Sequence, residues 1–178
     1  MAMDVFPPVP TWDGLHPLVI HFPIALLLVA PVFIVAGLAA PRTARSCFAA
    51  AVILMGLGVV AAWVAVASGR AAAELVEPEG AVRAVLLRHA ELGEMTRNVF
   101  TALTLVFAAF VFLPALLKRP LSRGATAGLG LLFLVLYAAG ALLIANTAHQ
   151  GARLVHEFGV HAVMADGSSG PVAPGPRP

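Results

Sequence analysis

The histidines are the residues of this sequence best suited to metal or redox chemistry. There are six of them: His16, His21, His89, His149, His156 and His161. Imidazole is the commonest side-chain metal ligand and a frequent axial ligand of haem. We expect His21, His89 and His149 to converge from three helices at one depth and to supply metal ligands. His16 and His161 are predicted to be surface residues.

His21 is predicted to lie just over one turn inside the first helix. Pro17 is a favourable first helical residue because its missing N–H needs no partner there. Pro23 cannot donate to the carbonyl of Val19, which leaves that oxygen free for another donor or a ligand. A histidine at this depth should face the bundle or a polar cavity rather than lipid.

His89 is predicted to lie on the inward face of an amphipathic helix. Apolar residues recur at three- and four-residue spacing through 82–96, with charged residues on the other faces. Gly93 follows His89 by one turn, and it should leave room for a bulky group beside the imidazole. The charged face, which includes Glu91 and Glu94, is expected to be solvated.

The segment after the fourth apolar stretch carries further polar residues. If the helix persists, Asn146, His149, Arg153 and His156 fall on one stripe at spacings of three, four and three. Gly151 and Gly159 could instead end the helix.

Three functions are compatible with these residues. In the first, two of His21, His89 and His149 bind the iron of a b-type haem, and the third, with Arg153 or Asn146, holds a propionate or a quinone oxygen. In the second, the three imidazoles bind copper or zinc without haem. In the third, the chain is an accessory subunit of a larger membrane complex, and the imidazoles only form hydrogen bonds.

The composition identifies a small integral membrane protein. The chain has 178 residues, of which 60% are hydrophobic and 11% are charged, and its mean hydropathy is +0.93. Soluble domains carry about 25% charged residues. The net charge of +2 is too small to favour a nucleic-acid partner. The single Cys47 and the absence of a C-x-x-C-H motif exclude covalent attachment of c-type haem.

Four stretches without charged residues predict four membrane-spanning helices. They contain 28, 24, 20 and 29 residues, at 14–41, 46–69, 98–117 and 124–152, and a membrane helix needs about 20. We place the helices at 17–40, 47–69, 96–117 and 125–147. The predicted fold is an all-α four-helix membrane bundle over 15–163, with an amphipathic extension before the third helix. Residues 1–14 are predicted to be an exported tail and 164–178 a disordered tail.

The distribution of basic residues predicts the orientation. The loops 41–46 and 118–123 together hold five Lys or Arg and no Asp or Glu. Basic residues in short loops favour the cytoplasmic side. We therefore expect both termini, and with them the histidines, on the periplasmic side of a bacterial inner membrane. Residues 1–14 contain no Lys or Arg, so no signal peptide is evident.

Several segments resemble one family of bacterial membrane proteins, domain of unknown function 2231. The opening LHPLVIHFPI at 15–24 is the specific part, and Ser68-Gly69, HAELG at 89–93 and the segment 151–160 follow in order. The resemblance covers about residues 15–163. It implies a four-helix fold like that of membrane cytochromes, and electron transfer with a periplasmic c-type cytochrome, a quinone or a larger complex. The family tends to have a Tyr and a Gly where this chain has His156 and His161, so these two histidines are not carried over.

Overall fold

The computed structural model describes residues 11–75 and 78–160, and these residues are almost entirely helical. A short 3-10 helix, Asp13–Leu15, comes first, and five α-helices follow it along the chain. They are α1 (His16–Val19), α2 (His21–Ala39), α3 (Ala44–Glu74), α4 (Gly80–Leu116) and α5 (Arg123–His156). The predicted all-α fold is confirmed for the described residues.

Four segments of this part of the chain are long and apolar enough to cross a membrane. They are Asp13–Ala39, which combines the 3-10 helix with α1 and α2, and the three long helices Ala44–Glu74, Gly80–Leu116 and Arg123–His156. Large apolar side chains remain exposed on the outside of the bundle, for example Leu116, Val135 and Leu142. Such a surface is stable in contact with lipid, so the protein is a multi-pass membrane protein.

The helices form a bundle in which consecutive segments are neighbours. α2 packs on α3, α3 on α4 and α4 on α5, and α2 also contacts α5, which closes the bundle. The core contains several aromatic rings in contact. Phe107 stacks on Phe133 with ring centroids 4.8 Å apart, and Phe100 packs edge-on against Tyr137 with centroids 5.2 Å apart. The Tyr137 hydroxyl donates a 2.6 Å hydrogen bond to the carbonyl of Leu27.

Glycines allow the closest helix contacts. A Cβ added at Gly58 would lie 2.8 Å from the Leu27 side chain, and one at Gly130 would lie 2.7 Å from Leu38. These glycines therefore set the spacing of α2 from α3 and from α5.

The helices extend further than the predicted spans at one end of the bundle. α3 continues to Glu74 and α5 to His156, through Gly151, and the amphipathic extension from Gly80 is continuous with the third span, as expected. We call this the histidine end. The opposite end, with the connections 40–43 and 117–122, we call the basic end. The predictions for residues 1–10 and 164–178 lie outside the described residues.

Candidate histidine site

Two histidine rings meet at the histidine end of the bundle. The imidazoles of His16, at the start of α1, and His89, on α4, have centroids 6.1 Å apart and planes at 82°. Both side chains are half-buried. The backbones of the two helices are not in direct contact. The rings therefore approach each other across the end of the bundle.

Each ring is oriented by a backbone carbonyl on a neighbouring helix. Nδ1 of His16 lies 2.8 Å from the carbonyl oxygen of Ala65 on α3, and Nδ1 of His89 lies 3.0 Å from that of Thr147 on α5. A carbonyl oxygen can only accept, so each Nδ1 carries the hydrogen and donates it. In the neutral imidazole the lone pair is then on Nε2. Both rings thus have the tautomer in which Nε2 can bind a metal.

Two glycines make room for the two rings. A Cβ added at Gly69 would lie 2.8 Å from Cε1 and 2.9 Å from Nδ1 of His16. A Cβ added at Gly151 would lie 3.0 Å from Cε1 and 3.4 Å from Nδ1 of His89. Any larger residue at either position would have to displace the imidazole. Gly69 and Gly151 are therefore part of the site.

A second polar contact lies beside the His89 ring. The hydroxyls of Thr96 and Thr147 are 2.9 Å apart, and Thr147 also donates to the carbonyl of Leu143. This contact fixes α4 against α5 close to the carbonyl that holds His89. Gly93 lies nearby, but a Cβ there would be 3.9 Å from Val66 and 4.0 Å from Thr147, which is ordinary contact. A methyl group would therefore fit at Gly93, and room for a bulkier group there stays a prediction.

The predicted inward position of His21 is wrong, and so is the surface position of His16. His21 is exposed, whereas His16 is half-buried and hydrogen-bonded. Five residues correspond to about 500° of an α-helix, so the two side chains point about 140° apart. The chain is also interrupted at Ile20, between α1 and α2. Only one of the two histidines can face the bundle, and it is His16.

The polar stripe of α5 faces away from the site. Asn146, His149 and His156 are exposed, and Asn146 donates to the carbonyl of Leu142 on its own helix. Arg153 is half-buried, and it bonds Glu157 and Gln150. The expectation that His149 lies beside His21 and His89 is therefore wrong, because Thr147 and Gly151 occupy the inward positions of α5.

A three-histidine metal site is not formed by the part of the chain that the structure describes. Within residues 11–75 and 78–160, no three His, Cys, Asp or Glu side chains come close enough to hold one ion. His161, predicted to be a surface residue, lies outside these ranges. The site is thus a pair of imidazoles from His16 and His89.

The charged face of α4 is exposed, and parts of it contact α3. Arg88 and Glu91 form an ion pair within α4, with side chains 56% and 62% exposed. Arg70 of α3 pairs with Glu94, and the Arg97 guanidinium lies 4.1 Å from the centre of the Trp63 ring. The predicted solvated face is present, and it also joins α3 to α4.

The comparison with protein families agrees with this architecture. A family model described as a predicted membrane protein, DUF2231, matches residues 13–164. The chain belongs to this family. No curated protein and no solved structure matches it. The segments that carry the DUF2231 resemblance contain His16, Gly69, His89 and Gly151, which are the two imidazoles and the two glycines against which they pack. The sequence carries no signal that distinguishes His16 from His21, since both lie in the LHPLVIHFPI segment.

Proposed function

We propose that the protein is a membrane-integral redox module that binds b-type haem through Nε2 of His16 and His89. The observation that carries the proposal is that both rings are oriented and have the tautomer that leaves the lone pair on Nε2. Each imidazole donates Nδ1–H to a backbone carbonyl, and the ring centroids lie 6.1 Å apart. Metal-binding histidines almost always donate their other ring N–H to a carbonyl, a carboxylate or water.

The number of donors favours haem over a bare metal ion. Structural and catalytic zinc sites use three or four protein ligands. Among the residues of the described ranges, His16 and His89 come together as a pair, and no group of three candidate ligands forms. Two imidazoles could hold a haem, since the porphyrin would supply the other iron ligands. When bound, haem would supply reversible one-electron transfer.

The chain itself would orient the two ligand rings. The carbonyls of Ala65 and Thr147 fix the tautomer and the direction of the two ligand rings. Gly69 and Gly151 let the two rings pack directly against α3 and α5. Asn146 and Arg153 have no part in this proposal, because Asn146 donates to Leu142 of its own helix and Arg153 donates to Glu157, directly after α5.

We further propose that the histidine end faces the periplasm and that the protein lies in a bacterial inner membrane. Support comes from the five basic residues and the lack of carboxylates in the loops at the basic end. In this orientation a periplasmic c-type cytochrome, a quinone or a larger membrane complex could exchange electrons at the histidine end.

A non-catalytic accessory subunit is the alternative function. It is favoured by the same hydrogen bonds, because His16 ties α1 to α3 and His89 ties α4 to α5. In this case the two imidazoles only stabilise the end of the bundle, and the protein binds no haem.

Asparagine substitutions separate the two functions. In His16→Asn and His89→Asn the side-chain amide can still donate to the carbonyl from a position close to that of Nδ1, but nothing replaces the Nε2 lone pair. We expect both variants to insert and fold normally and to lose the Soret band that the parent protein shows after expression with haem supplied. The exposed histidines provide matched controls, since His21→Asn and His149→Asn should keep the band.

Two spectroscopic results would contradict the proposal. A parent protein that folds but takes up no haem would contradict the haem proposal and favour the accessory function. Retention of the full Soret band in both His16→Asn and His89→Asn would show that these residues are not the ligands.

A further inference from the structure

Two cavities lie side by side at the basic end of the bundle, far along the chain from the histidines. One has a volume of about 370 Å³ and the other about 440 Å³. Phe110, Pro114 and Leu121 line both of them. The two cavities are therefore branches of one forked groove around the end of α4.

The walls of the groove are almost entirely apolar. The larger branch runs between α4 and α5, from Leu117 back to Val106 on α4 and as far as Leu136 on α5. Eleven residues of helix correspond to about 16 Å, since the rise is 1.5 Å per residue. The smaller branch is closed on one side by Phe48 of α3. These dimensions and this chemistry suit hydrocarbon chains.

The groove lies between the end of α4 and the start of α5. Pro114 lies inside α4 and lines both branches, and it has no backbone N–H to donate to the preceding turn. Within residues 123–130 of α5, Thr126 lines the smaller branch and Leu129 lines the larger one.

A cation lies at the mouth of each branch. Lys118 lines the smaller branch and Arg119 the larger one. Arg123, which begins α5, follows closely, and residues 117–123 contain no carboxylate. The ion pairs found within the described ranges involve other residues. The mouth of the groove is thus positively charged next to an apolar interior.

We infer that this groove binds a diacyl phospholipid with an anionic headgroup. One acyl chain lies in each branch, and the phosphate lies at the fork, between Lys118 and Arg119. Basic pockets between membrane helices recognise anionic lipid headgroups in this way. The forked shape explains the preference for two chains, and the two cations explain the preference for negative charge. The inference is independent of the histidine site and of the orientation in the membrane.

Lipid binding to the purified, delipidated protein tests the inference. The protein in a neutral detergent is titrated with phosphatidylglycerol or phosphatidylcholine, and bound lipid is counted by native mass spectrometry. We expect one phosphatidylglycerol to bind in preference to phosphatidylcholine. Arg119→Gln should weaken phosphatidylglycerol binding about fivefold, as expected for one basic residue beside an anionic headgroup.

Two further variants make the result specific. Arg42→Gln removes one cation from the same end of the bundle, but Arg42 lines neither branch, so binding should be unchanged. Ala109→Phe fills the larger branch without changing the charge, and it should abolish tight binding of both lipids. Arg42 and Ala109 are both exposed, so both substitutions leave the core intact.

The inference fails if the parent protein binds the two lipids equally, or if Arg42→Gln weakens binding as much as Arg119→Gln. It also fails if Ala109→Phe binds phosphatidylglycerol as the parent does, because the acyl chains would then lie elsewhere. Formation of a dimer that excludes lipid from α4 and α5 would overturn it in favour of a second copy of the chain in the groove.

Discussion

Replacing Gly69 with alanine tests whether the His16 ring is held against α3. In the structure the new Cβ would lie 2.8 Å from Cε1 and 2.9 Å from Nδ1 of His16. Ordinary contacts begin near 3.4 Å, so the ring would have to move by about half an ångström. The ring cannot move away without lengthening the 2.8 Å hydrogen bond from Nδ1 to the carbonyl of Ala65.

The expected magnitude follows from two opposing contributions. Overpacking of a well-packed site costs about 1–3 kcal/mol. Alanine in place of glycine inside a helix gains about 0.5–1 kcal/mol. Gly93→Ala is the matched control, because Gly93 also lies inside a helix but a Cβ there makes only contacts of 3.9 Å and longer. The helix contribution cancels between the two variants, so Gly69→Ala should be less stable than Gly93→Ala by about 1–3 kcal/mol.

The measurement is reversible unfolding in mixed detergent micelles, followed by far-ultraviolet circular dichroism. Gly69→Ala should lower the free energy of unfolding of the parent, and Gly93→Ala should leave it unchanged or raise it. If the two variants have equal stability, the His16 ring does not pack against Gly69, and the geometry of the histidine site is wrong.

Three further predictions address the core, the charged face and the orientation. Tyr137→Phe removes the buried hydrogen bond to the carbonyl of Leu27 and should lower the free energy of unfolding by about 1 kcal/mol in the same assay; an unchanged value would contradict that bond. Glu91→Gln breaks an exposed ion pair, which contributes about 0–1 kcal/mol, so membrane insertion and stability should be retained, and loss of the protein from the membrane would mean that this face is not solvated. In intact cells, impermeant thiol reagents should label Glu79→Cys but not Ser122→Cys, each made in a Cys47→Ser background; the reverse pattern would place the histidine end in the cytoplasm.

The number of helices and their approximate positions could be predicted from the sequence. Charged residues are so costly inside a bilayer that runs of uncharged residues directly mark the spans. The amphipathic segment before the third span was also predictable, since charged and apolar residues alternate there with helical period, and α4 indeed begins at Gly80.

The facing of the histidines could be predicted only where the sequence pattern is uneven. His89 lies on an apolar stripe between charged residues, and the structure places it inward as expected. The first membrane segment is apolar on every side, so hydrophobicity does not distinguish the face with His16 from the face with His21. The sequence likewise does not show that Thr147 and Gly151, rather than His149, face inward on α5.

What the sequence by itself determined is therefore the membrane environment, the four spans and the inward position of His89. Only the tertiary structure decided which histidine is its partner. The physical reason is that a ring can approach a helix backbone only where no Cβ stands in the way. That position is Gly69 for His16 and Gly151 for His89, and each lies more than fifty residues further along the chain.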